Sequence, residues 1–457
     1  MAGGRWEVWA AVAAGWLTFG LKRCLVRDGA CGAGREEGPG GWNERLFGAV
    51  AGVRGEPTIP GVRLRGIGAV ATLLLAVGGC DFPDDAQFVE VVAGGGEADG
   101  GVAADAAIDG RLVDMVMGGG GVLHVLTVED LELTMWTVAD GRLSHVAVPG
   151  LVPEQISQVT TGPDGEVLVG LWDGAGGVWE IRSDGSARRT LGAGTARAKL
   201  AADGVTRDKA EIRAVRGVAV DPDGDVYFAE QRTEPVTHDL VRTFDNGKLK
   251  TVFGRDLAGL KEAEWAQART LTGFPDGTPG TKVAAADNVR TMPLAVASDG
   301  NVYVAATERS VVVVRRDGTT HKFLGADLDQ LSPPEWPFQD RGPATEASFD
   351  VVGAGLVTDN ADNVYLVGRS DRYTSLPESF DWTGNVTDNQ RELLVRSKEQ
   401  REQETEVLRV RPDGELATVA GHADAVAVDQ GWIYLARSFK DKELADRVIV
   451  VRTAEDF

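Results

Sequence analysis

Asp221, Asp223 and Asp225 in "VDPDGDVYFAE" have the one-three-five spacing with which carboxylates encircle calcium. The glycine that such a loop needs at its sixth position is Val226, and the twelfth position is Arg232 rather than glutamate. A hairpin turn explains the same residues, because Asp-Gly supplies positive-φ positions between two apolar runs. The five histidines (His124, His145, His238, His321 and His422) are scattered, with no H-x-H or H-E-x-x-H, so no histidine-rich metal centre is signalled. A denser set of charged and aromatic side chains follows apolar runs: Trp172 and Asp173, Glu230 and Arg232, Glu308 and Arg309, Arg369, Asp371 and Tyr373, and Arg437. Gathered at the mouth of a channel, they would bind a polar ligand or a peptide. The same residues also suit a solvated rim of ion pairs, each worth little. None is assigned a catalytic or metal-ligating role, and no cofactor is expected.

The cysteines carry a different chemistry. Cys24, Cys31 and Cys80 all lie in the first 80 residues, so the rest of the chain forms neither a disulfide nor a cysteine metal site. Cys80 ends the stretch "VRLRGIGAVATLLLAVGGC". Arg63 and Arg65 make a positive start, and Ile67–Val77 is an apolar run too short to span a bilayer but suited to a signal peptide. Val77-Gly78-Gly79-Cys80 looks like a bacterial lipobox, in which the peptide is cut before the cysteine and the thiol is diacylated. The other reading is a short buried apolar segment that ends in cysteine. Lipidation at Cys80 has a definite meaning: each buried CH₂ contributes about 0.8 kcal/mol, and stable anchoring takes two chains or equivalent signals.

This reading divides the chain. Residues 62–79 are a signal peptide, and residues 80–110 an acidic Gly/Ala/Asp-rich tether that includes one strand. Residues 1–61, rich in Gly, Arg and Trp, are an upstream extension ahead of a translation start at Val62 or Val53, or else disordered. A rival places a weak apolar anchor at Val8–Leu21.

Net charge is −22, and from Cys80 onward 38 Lys and Arg stand against 63 Asp and Glu, a balance of −25. That surface repels phosphate backbones and anionic headgroups. Nucleic acid is excluded as a partner, and membrane attachment is expected to be covalent. The expected partners are membrane lipid, through the acylated cysteine, and an unknown protein, peptide or carbohydrate. The chain is expected to be a monomer in the bacterial cell envelope, outside the cytoplasm.

The elements that must position these residues are repeated hairpins. "VDPDGDVYFAE" has relatives in "VASDGNVYVAA" from Val296, "VTDNADNVYLVG" from Val357 and "VAVDQGWIYLAR" from Val426. A second family of hairpins accompanies them: "VWEIRSDGSARRTL" from Val178 ahead of the first, and "LVRTFDNGKLKTVFG" from Leu240, "VVVVRRDGTTHKFLG" from Val311 and "VLRVRPDGELATVAG" from Val407 after the first three. Each unit therefore holds four short strands. Six units begin near Arg111, Ile156, Val215, Pro293, Gly353 and Ala425, across residues 111–457. Four-stranded repeats of this kind predict an all-β, six-bladed propeller of antiparallel blades. The sixth unit has only three strands. "QFVEVV" at 87–92 is predicted to pair with Arg447–Val451, supply the fourth and close the ring.

"DRGPATEASFDVVGAGLVTDNADNVYLV" from Asp340 resembles the NHL-repeat propellers of bacteria, where a G-D-G-G-P-A-T-x-A-x-[LF] connector precedes a strand and a D-x-x-G-N-[VL]-Y turn. "DGVTRDKAEIRAVRGVAVDPDGDVYFAE" from Asp203 and "DGTPGTKVAAADNVRTMPLAVASDGNVYVAA" from Asp276 are looser copies. The resemblance covers about Ile156 to the end. It implies the fold and leaves the function open, since the fold hosts lyases, lactonases, sensors and binding modules. Where many members carry Asp-x-x-Asn-x-Arg after the second strand, this chain reads "EQRTEPV", "TERSVVV" or "RSDRYTS".

In a propeller the one–two and three–four turns share one face, and the two–three loops and blade connectors share the other. All extra length falls on the second face, at 192–214, 254–292, 325–352 and 368–404; the 377–405 part is rich in charge and helix formers. Loops beyond about 12–15 residues are uncommon unless functional or disordered. Two connectors repeat an Asp-Leu…Glu-Trp segment, at 253–265 and 324–336, with Trp265 and Trp336 either stapling the loop to a blade edge or contacting ligand. The function expected is non-catalytic ligand or protein binding through this face. The alternative is a metal-dependent hydrolase similar to gluconolactonase-type propellers, which hold one divalent cation in the channel; no residue of that family maps onto this chain.

Overall fold

The computed structural model describes residues 58–59, 62–63, 90–96, 101–173, 176–192, 201–232, 237–257, 274–283, 291–307, 309–325, 341–347, 350–369, 405–421, 423–440 and 446–454. The chain divides into two units, Met1–Asp85 and Ala86–Phe457. In the first, Thr58–Ile59 pairs antiparallel with Val62–Arg63. Cys80 and the apolar run before it lie outside the described residues. Among the described residues no helix is long and apolar enough to cross a membrane.

The second unit is a six-bladed β-propeller. Blade 1 is built from Arg111–Gly118, Val122–Glu129, Glu132–Ala139 and Arg142–Ala147. Blade 2 uses Ile156–Thr161, Val167–Leu171, Gly177–Ile181 and Ala187–Leu191; blade 3 uses Val215–Val220, Val226–Arg232, His238–Asp245 and Lys248–Phe253. Blade 4 holds Leu294–Val296, Val302–Thr307, Ser310–Val314 and Thr319–Leu324; blade 5 holds Asp350–Thr358, Val364–Arg369, Glu406–Val410 and Glu415–Gly421. In each blade the strands pair in sequence order, antiparallel, from the inside outward.

The sandwiching of each blade between two others explains its composition. Second and third strands are covered on both faces, so they run apolar instead of alternating: Val311–Val314 and Val364–Val367 are buried at every position. Six apolar clusters form, one in each gap between neighbouring blades. The cluster of Met115, Leu123, Ala427 and Val450 joins blade 6 to blade 1, so the ring is closed.

Closure takes the strand expected for it. Blade 6 contributes Ala425–Asp429, Trp432–Lys440 and Asp446–Ala454, and its outer strand is Glu90–Ala93. Val450 faces Ala93, Val451 faces Val91 and Arg452 faces Glu90. The Arg452 guanidinium donates two bonds to Glu90 Oε2, at 3.0 and 2.7 Å, and lies over the Trp432 ring. Asp109 and Arg447 pair beside this seam through a backbone bridge and a salt bridge. The Gly/Ala/Asp-rich stretch expected to be tether is here partly structural. Gly101–Val102 pairs with the outer strand of blade 1, and Ala103, Ala106 and Ile108 are fully buried. Small side chains let that backbone pass between blades 6 and 1, where a larger residue would not pack.

The connectors also differ from the sequence reading, which placed their whole length on one face. Thr278–Pro279 and Arg341–Pro343 lie along the outer strands of blades 4 and 5, and Thr206 makes a single bridge to Lys248 of blade 3. Each is followed by one 3-10 turn: Arg207–Lys209, Gly280–Lys282 or Ala344–Glu346. Aspartates fasten these hooks. Asp203 accepts the Thr251 N–H at 3.1 Å and Asp276 accepts the Lys322 N–H at 3.0 Å. The physical reason is the outer edge of each blade, whose unpaired N–H and C=O groups gain partners from the passing chain.

A charge introduced at the seam tests this closure. Val91→Asp, at a buried position, is expected to lower the unfolding free energy by about 3 kcal/mol in chemical denaturation. A loss under about 1 kcal/mol would mean that the strand contributes little to closing the ring.

Candidate functional site

The two ends of the ring are built differently. At one end lie the one–two turns of all six blades and the three–four turns of blades 1 to 5, and each of them is short. The longest are 162–166, 182–186, 221–225, 297–301 and 359–363. Their aspartates serve the turn itself. Asp221 Oδ1 accepts the N–H groups of Asp223 and Asp225 at 3.0 and 2.8 Å, and Asp359 Oδ1 accepts those of Ala361 and Asn363 at 2.8 Å each. Burial raises the pKa of Asp225, and the nearby charges of Asp221 and Asp223 add to the rise. In the outer hairpin of blade 4, Asp317 Oδ1 takes the N–H and hydroxyl of Thr319 while Gly318 sits at φ 82°. Glycine is the residue that adopts that angle without strain.

The two–three loops lie at the opposite end, where the connectors also leave and re-enter the blades. The connectors into blades 3, 4 and 5 nevertheless run down the outside as far as the three–four turns at Gly247, Gly318 and Gly414. The residues singled out by sequence are divided at the two–three loop end. Trp172 is partly buried, its indole donating to the Glu154 carbonyl at 3.0 Å, and Asp173 beside it is exposed. Arg309 is exposed, with its N–H on the Thr307 hydroxyl. Arg369 ends a strand opposite Asp350. Glu230, Arg232 and Arg437 are buried, with 0%, 7% and 1% exposure. Trp265, Glu308, Trp336, Asp371 and Tyr373 lie outside the described residues, as does most of 377–405.

The buried members reveal a charge network in blade 3 that anchors two connectors. Arg242, 1% exposed, donates to Glu230 Oε2 at 2.9 Å and to Asp203 Oδ1 at 2.8 Å. Arg232 donates to Asp256 Oδ2 at 2.8 Å and to the Ala201 carbonyl at 3.0 Å. His238 Nε2 accepts the Leu257 N–H at 3.4 Å, and Asp256 lies 3.6 Å away. Ala201 and Asp203 belong to the connector entering blade 3, and Asp256 and Leu257 to the one leaving it. Burial raises the pKa of Glu230 despite the Arg242 charge. For Asp203, burial acts upward but the bonds from Arg242 and Thr251 outweigh it, and its pKa falls below the usual value. Arg242 and Asp203 were not among the expected residues. The signal was present: an arginine inside the strand-like run "LVRTF" needs a partner when the strand is buried.

The inner strands hold a second polar layer. Inner strands leave backbone groups without a ladder partner, and side chains from earlier blades supply them. Asp114 of blade 1 accepts the N–H of Val159 in blade 2 at 3.0 Å and that of Met115 at 2.8 Å. Gln158 of blade 2 accepts the N–H of Val218 in blade 3 at 3.0 Å. It also takes the Leu294 N–H of blade 4 at 2.9 Å and donates to the Leu294 carbonyl at 2.7 Å. That reach depends on Gly217, where a Cβ would lie 1.9 Å from the Met292 carbonyl oxygen and 3.2 Å from Gln158 Oε1. Burial pushes the Asp114 carboxyl up to about 7, against the lowering effect of its two N–H bonds. Among the described residues no group of three or more His, Cys, Asp or Glu is placed to hold a metal ion.

No family model matches the chain, and no curated protein matches it by sequence. Solved structures of bacterial propeller proteins do resemble it. A structural-genomics protein of unknown function from Bacteroides thetaiotaomicron is 15% identical over 80% of this chain and 76% of its own, with a TM-score of 0.44. A putative gluconolactonase is 12% identical, covering 80% of this chain and 92% of that one, with a TM-score of 0.39. A putative TolB from Agrobacterium tumefaciens is 12% identical over 75% and 90%, with a TM-score of 0.38.

The charges give three predictions. Because the folded pKa of Asp114 is raised, its contribution to stability is full below about pH 4 and lost as pH climbs to about 7. Asp114→Asn is expected to flatten the slope of unfolding free energy between those pH values in urea titrations; an unchanged slope would remove Asp114 as its source. Arg242→Met strands a buried carboxylate and is expected to cost about 3–5 kcal/mol. Asp203→Asn, at a side chain 54% exposed, is expected to cost about 1 kcal/mol or less by the same denaturation assay.

Proposed function

We propose that this chain is an envelope lipoprotein, anchored through Cys80, whose NHL-type propeller binds a ligand or partner protein through its long-loop face without catalysing a reaction. The observation that carries this reading is the asymmetry of the turns: every one–two and three–four turn is short and lies at one end, while the two–three loops, and the points where connectors leave and re-enter the blades, lie at the other. A rigid scaffold bearing variable loops on one side is a common way to build a binding surface. The anchored connectors add support. Arg242 and Arg232 fix the roots of two of them to blade 3, so they leave the ring from defined points. The NHL-type assignment rests on the "DRGPATEA" connector from Asp340, on its looser copies from Asp203 and Asp276, and on the edge hooks they form.

The lactonase alternative needs acidic or amide side chains from at least three blades meeting at the axis. The described inner strands carry Asp114, Gln158, Asp350 and Asp429. Asp114 and Gln158 bond backbone groups of other blades, and Asp350 and Asp429 stand at opposite ends of their strands. Among the described residues no three His, Cys, Asp or Glu come together. These residues do not fit a cation site, and no step is derived through one.

A thermal-shift screen of the purified chain against sugars, envelope peptides and lactones, with chelator and then with added divalent cation, separates the two. One ligand class is expected to raise the melting temperature in chelator. A ligand at a hundred times its dissociation constant stabilises by about 2.7 kcal/mol. Lactone hydrolysis that appears with the cation and disappears with chelator would overturn the binding reading.

A further inference from the structure

We infer that the propeller is held with its short-turn face toward the membrane and its long-loop face directed away from it; this rests on the lipid-anchor reading of Cys80. The argument is the polarity of one strand. In blade 6, Trp432–Lys440 rises from the short-turn face, since the Gln430–Gly431 turn precedes it, and Asp446–Ala454 returns toward that face. Glu90–Ala93 is antiparallel to Asp446–Ala454, with Glu90 opposite Arg452 and Ala93 opposite Val450. Glu90 therefore starts at the short-turn end, and the chain runs from it toward the other face. It enters where blades 1 to 5 have their three–four turn. Any strand that completes an outer edge from outside the repeat must enter from that side, so the direction of the anchored segment follows from the topology.

Nine residues separate Cys80 from Glu90, and a chain of that length reaches at most about 30 Å. Strands of five or six residues set the two faces roughly 20 Å apart, whereas a coil of nine residues spans about 17 Å on average, so only a nearly stretched link would bring the far face to the bilayer. The short-turn face carries an aspartate from each blade, Asp140, Asp184, Asp221, Asp299, Asp359 and Asp429. Anionic lipid repels such a surface within a Debye length of about 8 Å. The covalent link, rather than adsorption, then holds this face to the membrane, and the loops that vary in length are left open to a partner from the surrounding compartment.

Energy transfer from a protein fluorophore to an acceptor lipid reads this orientation. The full chain, with Cys24→Ser and Cys31→Ser, is expressed in a bacterial host and its membrane fraction labelled at one of two introduced thiols. Ser183→Cys lies in an exposed short turn of blade 2, and Val152→Cys, at a site 46% exposed, lies in the connector entering blade 2. Transfer is expected to be several-fold more efficient from position 183 than from 152, and Cys80→Ser is expected to remove the protein from the membrane fraction. Membrane attachment that depends on Cys80, with equal transfer from both sites or stronger transfer from 152, would overturn the orientation alone. Attachment that survives Cys80→Ser would overturn the anchor reading and the orientation with it.

Discussion

The ladder between Glu90–Ala93 and Asp446–Ala454 joins residues up to 362 apart in sequence, and the rest of the ring depends on it. A blade has two apolar faces, and each face is buried only if a neighbour stands on that side. Five of the six gaps fill from consecutive repeats. The sixth, between the last blade and the first, needs both ends of the propeller in place. Blade 6 also lacks an outer strand until the amino-terminal segment arrives. Two demands, burial of apolar surface and pairing of strand edges, are thus met by one short strand and the buried run Ala106–Ile108 beside it.

Edge satisfaction governs the remainder of the architecture too. On the outside, connectors spend part of their length as a fifth strand, and aspartates such as Asp203 and Asp276 lock them there. On the inside, where no strand fits, Asp114 and Gln158 replace the missing ladder with side-chain bonds. The same rule produces opposite residue choices in the two places. Outside, the partner is backbone, so small residues and glycine suffice; inside, it is a polar side chain that must be buried, and its pKa shifts accordingly.

Buried ionic groups here act as joints. Arg242 is enclosed by blade 3 yet reaches both the internal Glu230 and the more exposed Asp203 of a connector. Replacing such a pair with apolar residues is often neutral for stability, whereas removing one partner is costly. Its value in this chain lies in position: it sets where a connector begins its course over the loop-bearing end. The acidic turns at the other end do less. Asp221 and Asp359 each give a carboxylate oxygen to N–H groups of their own loops, a hairpin role that accounts for the spacing at Asp221–Asp225.

Strand count, blade boundaries and the borrowed closing strand were legible in the residues because each depends on local chemistry: Asp-Gly turns, apolar runs of four to six, and an isolated strand-like segment beyond the repeats. The side on which each loop leaves its strand was legible as well, since strand alternation fixes it. Burial at the ends of second strands was decided only by tertiary packing. Glu230 and Arg437 read alike with Asp173 and Arg309, but the former lie between blades and the latter lie in loops at the end of the ring. The path of the connectors was likewise hidden, because pairing with an outer edge takes only two or three residues of any type. Asp114, Gln158 and Gly217 act through backbone groups of other blades, and no spacing along one chain reveals which strand stands beside which once a sheet closes into a ring.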